Sequence, residues 1–487
     1  MKLILAACLA TGIALRVWDL PGTPGLSIDE AFNGTDALGA LRSGPAAFYP
    51  ANRGREGLFI NLEAGSIWLF RDTLHVSGWP EPWMLRIVSS LFGSLTLIGF
   101  YAFCRRLLGR REALLALFFL ATACWHVLFS RIGFRAIAAP FFVSLGFFLV
   151  LAAAAEMRKR PRLVPLFAGM AGAASGLGFQ TYTAFRPMPV VALLTLVWAV
   201  RSGRLRAQAA AALSFVAGFA ALAFPLLRYY AGHPADFLGR MNQVAVWTAP
   251  SPPRALAWSA VKTAQMCFVF GDFNWRHNVS KSPQLSMIVG LCVLAGLWRL
   301  AADLFKPGFR RERAALTGAL LVTATLPVIL STEGVPHALR GLQMLIPLMI
   351  AAGVGGLWVY RFLCRRCGLR VARIAAIVLL AASFAADVSK YFHSWIGAPQ
   401  LAEAFAVPVV EAGYRLRTLS PAVPKIVVVP GDPLSEGQPA MFVADVATAE
   451  RQSRLRVQFV NDPAAARRTP GAVVLDTLAP ATPSPKP

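Results

Sequence analysis

The sequence predicts an α-helical polytopic membrane protein with a small α/β domain at its C-terminal end. Of its 487 residues, 56% are hydrophobic and only 15% are charged, and the mean hydropathy is +0.56. A soluble globular domain carries about 25% charged residues. The apolar residues also gather in long runs, and hydropathy falls only after Lys390. These observations separate a membrane part from a terminal soluble part.

About eleven apolar runs approach the length that crosses a bilayer, roughly 20 residues. No small-residue cleavage site follows the first run and further runs come after it, so we interpret it as an uncleaved first helix. The runs fall near 2–16, 84–104, 113–129, 136–155, 163–180, 185–200, 209–228, 284–301, 314–331, 338–360 and 371–388.

The distribution of basic residues predicts the orientation of these spans. If the first helix starts in the cytoplasm, the internal loops hold nineteen lysines and arginines and the short external turns hold four. Cytoplasmic loops are enriched in both residue types. We therefore expect a multi-pass plasma (inner) membrane protein with a cytoplasmic N-terminus. The net charge of +24 then reflects topology, and no nucleic-acid partner is expected.

Residues 1–389 form the predicted transmembrane domain, with external loops at 18–83 and 229–283. The first loop contains amphipathic stretches around Leu38 and Phe59 that are typical of helices lying along a membrane surface. In the second loop, a similar helix is expected from about Arg254 to Phe270.

Residues 390–478 form the predicted extracytoplasmic α/β domain. A proline-rich tail at 479–487 is expected to be disordered. Within the domain, four segments have the composition of short strands: 425–430, 440–443, 457–460 and 471–475.

The acidic turn Leu26-Ser27-Ile28-Asp29-Glu30-Ala31-Phe32 is the strongest candidate for chemistry. Asp29 and Glu30 follow the first helix, where the chain leaves the membrane. Ser27 and Glu30 also fit a capping box, in which the acids only start a helix. The two interpretations are compatible, because a helix dipole stabilises an ionised carboxylate in the first turn and a base must be ionised.

Further external segments carry polar side chains on the same face. Arginine at an outward turn opposes the usual charge bias, and guanidinium groups bind phosphate oxygens in a bidentate manner. The alternative is that these arginines contact lipid headgroups or pair with the acids, and that the aromatic and histidine side chains are structural. The candidates are Arg55, Glu56, Arg131, Arg135, Tyr182, His277, His337 and Arg340.

No metal-ligand spacing stands out, so we expect no metal and no other cofactor. A divalent cation held by Asp29, Glu30 and His337 is not favoured, because adjacent carboxylates on a helix point in different directions. The seven cysteines are scattered and odd in number, which argues against a disulfide framework. Cys364 and Cys367 have metal-ligand spacing but lack a second pair.

A carboxylate base and phosphate-binding arginines on the outer face indicate transfer of a group carried on a lipid phosphate. The carboxylate would take a proton from an acceptor hydroxyl, while arginines stabilise charge on the leaving phosphate.

Several short stretches, in their order over about 30–340, resemble the C-type, polyprenyl-phosphate-sugar-dependent glycosyltransferases, a group that includes bacterial protein O-mannosyltransferases and aminoarabinose transferases. The acidic pair after the first helix is the most specific of them. Gly57 departs from the pattern, since relatives often carry proline there. The stretches are LSIDEA (26–31), GREGLF (54–59), LRIVSSLFG (85–93), FSRIGFR (129–135), GDFNWRHN (271–278) and PHALR (336–340).

The resemblance implies an inverting transfer from a polyprenyl-phosphate sugar to an acceptor on the extracytoplasmic face. It implies Asp29 as the catalytic acidic residue with Glu30 its neighbour, and Glu56 as a further loop acid. Arg131, Arg135 and Arg340 are the candidates for the donor phosphate. The acceptor, whether protein, lipid or glycan, is not identified by the sequence.

Two other function classes fit the same features. A lipid-linked glycan transporter or flippase would use the acids and arginines along a translocation path, but such proteins carry polar groups near the bilayer midplane and often repeated halves. The spans here are nearly free of charge, and no repeat is found. A noncatalytic cell-envelope scaffold would use the membrane part only to present the terminal domain.

Overall fold

Helices make up most of the chain, as predicted. The computed structural model describes residues 1–464, 469 and 471–478, and for residues 240 and 241 the backbone alone. The acidic turn lies between α1 (Lys2–Val17) and α2 (Ile28–Ser43). A short antiparallel pair, β1 (Phe48–Tyr49) and β2 (Arg55–Glu56), then leads into α3 (Gly57–Ile67).

The eleven predicted apolar runs all fall on helices. The last two are the halves of a single long element, whose backbone leaves the helical region at Gly368 (φ 81°, ψ 163°), a conformation that glycine adopts readily. The helices of this part are α4 (Pro82–Leu107), α5 (Arg110–Thr122), α6 (Cys124–Arg131), α7 (Ala138–Lys159), α8 (Val164–Phe179), α9 (Met188–Ala199), α10 (Leu205–Gly232), α11 (Pro234–Val244), α12 (Pro252–Phe268), α13 (Met287–Leu304), α14 (Phe309–Ile329) and α15 (Leu345–Ser389).

Within the described chain, seven helices are long and apolar enough to cross a membrane, and the pair α5 and α6, bent by 52°, makes up to eight. Helices α1 and α9, with 16 and 12 residues, are shorter than a perpendicular crossing requires. The polytopic α-helical class is thus confirmed, while the number of about eleven crossings stays a prediction.

Close packing of the membrane helices depends on small residues. A Cβ atom at Gly296 on α13 would lie 1.8 Å from the Ala351 carbonyl oxygen on α15. On α8, a Cβ atom at Gly172 would lie 1.9 Å from the Phe215 carbonyl oxygen on α10. Glycine at these crossings lets the helix backbones touch, which replaces the hydrophobic driving force that lipid cannot supply.

The C-terminal domain contains a three-stranded parallel sheet in the order β4–β3–β5, with Lys425 opposite Val457 and Val473. The strand predicted at 440–443 is instead a helix. All four residues there are buried, and an apolar run covered on every side has no period that separates strand from helix. The elements are α16 (Leu401–Ala404), α17 (Val407–Thr418), β3 (Lys425–Val428), α18 (Pro433–Glu436), α19 (Gln438–Val443), α20 (Ala449–Leu455), β4 (Val457–Val460) and β5 (Val473–Asp476).

Helix α2 lies between the membrane part and the C-terminal domain. Its Ala37 and Leu38 are buried in one cluster with Leu85 of α4 and Phe442 of α19. The expectation that this helix lies along the membrane surface is therefore wrong, because protein covers its apolar face. The expected helix of the second loop is present as α12, two residues earlier than predicted. The tail predicted to be disordered, 479–487, lies outside the described residues.

Candidate active site

Helix α2 begins at the acidic turn with a capping box. The Glu30 backbone N–H donates to the Ser27 hydroxyl (3.3 Å), and the Ser27 backbone N–H donates to the Glu30 carboxylate (3.0 Å). This pairing satisfies two backbone donors that a first helical turn leaves open. It also fixes Asp29 in the first turn, where the helix dipole favours an anion.

Glu30 is wholly buried and anchors this turn. Its Oε1 lies 3.0 Å from Nε of Arg86 and accepts a hydrogen bond from the Gly133 backbone N–H (2.7 Å). Burial alone would raise the pKa of Glu30, but the Arg86 guanidinium and two backbone N–H groups hold it below its usual range. Glu30 has no exposed surface and holds this turn in place, and the catalytic role predicted for it stays a prediction.

Asp29 is open to solvent, with 40% of its side chain exposed. Its Oδ2 lies 2.6 Å from Nη1 of Arg276, and its Oδ1 accepts a hydrogen bond from the Asn52 amide (2.9 Å). Burial raises the pKa of Asp29, but Arg276, the Asn52 amide and the more distant Arg135 outweigh this effect and lower it. The carboxylate is therefore ionised at neutral pH, as a general base must be.

Glu56 gathers a second group of side chains near Asp29. Its Oε2 lies 2.7 Å from Nη1 of Arg135, and its Oε1 accepts a hydrogen bond from the Thr183 hydroxyl (3.0 Å) and lies 3.4 Å from Nη2 of Arg186. The Arg135 guanidinium also lies over the Tyr182 ring, 5.6 Å from its centroid. Two guanidinium groups share one carboxylate, so the group carries a net positive charge. Arg135 is also one of the cations that lower the pKa of Asp29.

Arg55 lies beside these groups but faces inward. It is 3% exposed, forms an ion pair with Asp36, and donates to the Asn33 side-chain oxygen (2.7 Å). Burial lowers the pKa of Arg55, and the Asp36 carboxylate opposes that effect. Arg55 therefore braces α2 against β2.

Arg131 is buried, and protein groups outside the acidic turn surround its guanidinium. Its guanidinium donates to the Tyr391 hydroxyl (2.8 Å) and to the carbonyl oxygens of Leu15, Trp18 and Asp19. These bonds tie the end of α1 to α6 and leave the side chain 2% exposed. The donor-phosphate contact predicted for Arg131 stays a prediction, and in this structure protein groups already occupy its guanidinium.

Arg340 pairs with Glu333, 2.7 Å between Nη2 and Oε2. Glu333 also pairs with Arg53 of the first external loop at 3.1 Å. This bridge connects the two loops, and the structure does not bring Arg340 into hydrogen-bond contact with Asp29 or Glu56.

The predicted histidines come together with an aspartate that sequence reasoning did not select. Nδ1 of His277 lies 2.9 Å from Oδ2 of Asp272, which also accepts a hydrogen bond from the Ala338 backbone N–H (2.7 Å). The ring centroids of His277 and His337 are 5.0 Å apart. One ligand atom from each of these three side chains lies within 4.8 Å of the others. A carboxylate and two imidazoles suit a divalent transition-metal ion. This group differs from the set of Asp29, Glu30 and His337 that the sequence analysis considered and did not favour.

Glu63 is a buried acid that no sequence pattern singles out. It is 0% exposed, and within the described part of the chain neither carboxylate oxygen has a hydrogen-bond partner. Burial and the charge of Glu30 raise the pKa of Glu63 well above its usual range, although Arg55 and Arg135 oppose them. The Glu63 carboxyl therefore keeps its proton to a higher pH than an exposed glutamate does.

Sequence reasoning also missed the direct partners of Asp29. Arg276 lies in the quoted stretch 271–278, beside His277, and the external arginine rule applied to it as well as to the shorter turns. Asn52 gave no signal, because a lone asparagine in a loop is ordinary. Only the folded loops bring both side chains to Asp29.

Comparisons with known proteins agree with this architecture. Residues 65–229 match the family model described as dolichyl-phosphate-mannose-protein mannosyltransferase. A search of curated protein sequences gave no match. ArnT from Cupriavidus metallidurans, solved with undecaprenyl phosphate and in the apo state, is 14% identical, with TM-scores of 0.56 and 0.57 over 97% of this chain and 92% of that chain.

A second similar structure is the oligosaccharyltransferase of Archaeoglobus fulgidus, solved with a tethered acceptor peptide. It is 11% identical, with a TM-score of 0.55 over 94% of this chain. This chain spans 63% of the length of that protein. The predicted resemblance is confirmed: the chain has the C-type glycosyltransferase fold and matches the dolichyl-phosphate-mannose-protein mannosyltransferase family model over residues 65–229.

Proposed function

We propose that this chain transfers a sugar from a polyprenyl-phosphate-linked donor to an acceptor hydroxyl, with inversion at the anomeric carbon. The reaction takes place on the extracytoplasmic face of the plasma (inner) membrane, and the N-terminus lies in the cytoplasm. The observation that carries the proposal is Asp29, an ionised and partly exposed carboxylate that pairs with Arg276 in a C-type glycosyltransferase fold.

Asp29 acts as the general base. The acceptor hydroxyl gives its proton to the carboxylate while its oxygen attacks the anomeric carbon from the side opposite the phosphate. The bond between that carbon and the phosphate oxygen breaks, and the polyprenyl phosphate leaves with the electron pair. Arg276 and Asn52 each hold one oxygen of Asp29, so the carboxylate is oriented before the acceptor arrives.

Arg135 and Arg186 stabilise the leaving phosphate. They converge on Glu56, which leaves one positive charge in excess, and guanidinium groups stay charged while they bind phosphate oxygens. Tyr182, below Arg135, offers an aromatic face of the kind that sugar rings contact. Arg135 replaces Arg131 and Arg340 as the favoured donor-phosphate ligand, because it alone of the three also acts on Asp29.

The C-terminal domain borders the site and is the proposed contact for the acceptor. Burial and the neighbouring Asp432 raise the pKa of Glu436, and the Arg276 charge opposes them, so α18 lies within electrostatic range of Arg276, the ion-pair partner of Asp29. The Thr35 hydroxyl of α2 also donates to the Gln438 side chain (2.7 Å). An acceptor that reaches Asp29 therefore passes this domain.

The test is sugar release and transfer by purified protein in liposomes, with a panel of radiolabelled polyprenyl-phosphate sugars. We expect Asp29→Asn to lower turnover by roughly 10²- to 10⁴-fold, the usual contribution of a general base. Asp72→Asn is the matched control, since Asp72 is an exposed loop acid that pairs with its neighbour Arg71. Asp29→Asn protein that keeps the wild-type rate would remove Asp29 as the base.

A chelator arm addresses the metal question. Transfer without any cofactor predicts equal rates with and without the chelator. A different result would assign a metal to the cluster of Asp272, His277 and His337. In that case the chelator abolishes activity, added divalent metal restores it, and the His277→Ala protein is inactive even without chelator. Binding of donor without any turnover would favour a transporter.

A further inference from the structure

A cavity of about 560 Å³ lies between the end of α9 and the start of α14, far in sequence from the acidic turn. It is lined by Trp198, Arg201, Gly308, Arg311, Glu312 and Ala315. The turns that form it, 200–204 and 305–308, belong to two of the basic loops that predict the cytoplasmic side. The cavity is therefore at the opposite end of the helices from Asp29.

Arg201 is held over this cavity by three contacts. Its guanidinium lies 4.1 Å from the centroid of the Trp198 ring, donates to the Trp198 carbonyl oxygen (2.7 Å), and lies 3.0 Å from Oε1 of Glu312. Five N–H donors belong to a guanidinium, so these contacts leave donors for a ligand. The indole and the carbonyl group fix the direction in which those donors point.

Arg311 gives the cavity its excess positive charge. Among the described residues Arg311 has no carboxylate partner, whereas the one acid of the lining, Glu312, is shared with Arg201. Two cations face one anion. A ligand with a single negative charge makes the site neutral, and a more highly charged anion would also meet repulsion from Glu312.

The cavity opens beside exposed apolar surface. Leu205 is 80% exposed, Phe305 is 91% exposed and Phe309 is 58% exposed, and all three directly adjoin the basic turns. Large apolar side chains next to arginines mark the boundary between hydrocarbon and headgroups. A ligand here has its charged part in the cavity and apolar chains against the protein surface.

We infer that this cavity binds the phosphate headgroup of an anionic phospholipid from the leaflet on the side of the basic loops. Arg201 and Arg311 donate to the phosphate oxygens, and the acyl chains lie against the exposed side chains of Leu205, Phe305 and Phe309. A phosphodiester carries one negative charge, which matches the charge of the lining. Basic pockets between membrane helices bind such headgroups in general.

The test is native mass spectrometry of the purified full-length chain, released from nanodiscs of phosphatidylglycerol or of phosphatidylcholine. We expect the wild type to keep phosphatidylglycerol and not phosphatidylcholine. Arg201→Gln combined with Arg311→Gln should lower the retained fraction roughly tenfold or more, since a charge-assisted hydrogen bond contributes on the order of a tenfold factor.

Arg310→Gln is the matched control, because Arg310 is exposed on the same turn but does not line the cavity. Equal retention by the double variant and the wild type would overturn the inference, as would an equal loss in Arg310→Gln, which would show general charge attraction. Inorganic phosphate is the competing probe. Displacement of the lipid by millimolar phosphate alone would mean a site for free anions and not for a lipid. The double variant should be monodisperse in phosphatidylcholine nanodiscs, which confirms that it is folded.

Discussion

The buried ion pair beneath the acidic turn allows a quantitative test of how Asp29 is positioned. Arg86 and Glu30 are 1% and 0% exposed and lie 3.0 Å apart. Arg86→Met leaves the Glu30 carboxylate buried without its charged partner, which costs about 3–5 kcal/mol. It also removes the donors to the Thr23 and Gly25 carbonyl oxygens, both at 2.7 Å, at about 1–3 kcal/mol for each group left unsatisfied. These costs overlap, so we expect a loss of at least about 3 kcal/mol.

The assay is the fraction of monodisperse protein that survives heating in detergent, with Arg415→Met as the control for an exposed arginine on the same side. Glu30→Gln keeps an acceptor for the capping box, so the double variant with Arg86→Met should recover part of the loss. A double variant no more stable than Arg86→Met, or an Arg86→Met protein as stable as the control, would refute the argument that an unpaired buried charge dominates.

Three further predictions follow from the same region. Arg276→Gln removes the main cation beside Asp29, so the pKa of Asp29 rises and the acidic limb of the pH–rate profile moves to higher pH; an unmoved limb would mean that another group titrates there. Glu63→Gln copies the protonated state, so it should weaken the loss of stability as pH rises above the usual carboxylate range, and an unchanged pH dependence would contradict a raised pKa in the folded protein. Phe442→Ala opens a cavity against Gly34 of α2, so it should cost about 3–5 kcal/mol and lower sugar transfer, whereas full transfer at normal stability would show that the C-terminal domain does not support α2.

Protonation of Glu30 at low pH gives one more prediction, and its sign is defined. Its folded pKa is lower than its unfolded pKa, so its stabilising contribution is present above about pH 4.3 and is lost as pH falls through the folded value. Glu30→Gln should therefore lose less stability on acidification than the wild type does, as measured by thermal survival across that range.

Local patterns predicted most of the fold because the bilayer enforces them. A spanning segment must satisfy its own backbone in hydrocarbon, so apolar length alone predicts a helix, and all eleven runs fall on helices. The same reasoning failed for Ala440–Val443, where protein covers the segment on all sides and hydropathy carries no period. It also failed for α2, whose apolar face is covered by α4 and α19 instead of lipid.

For the site, the sequence by itself determined the helix start and the acid within it. The capping box from Ser27 to Glu30 is a contact over three residues, so its spacing is visible in the chain. Which of two adjacent acids is buried, and which faces solvent, was decided only by tertiary structure. Arg86, Gly133, Arg276 and Asn52 reach the pair from 23 to 247 residues away, and such distant partners leave no local pattern, because burial and charge neutralisation depend on where whole helices pack.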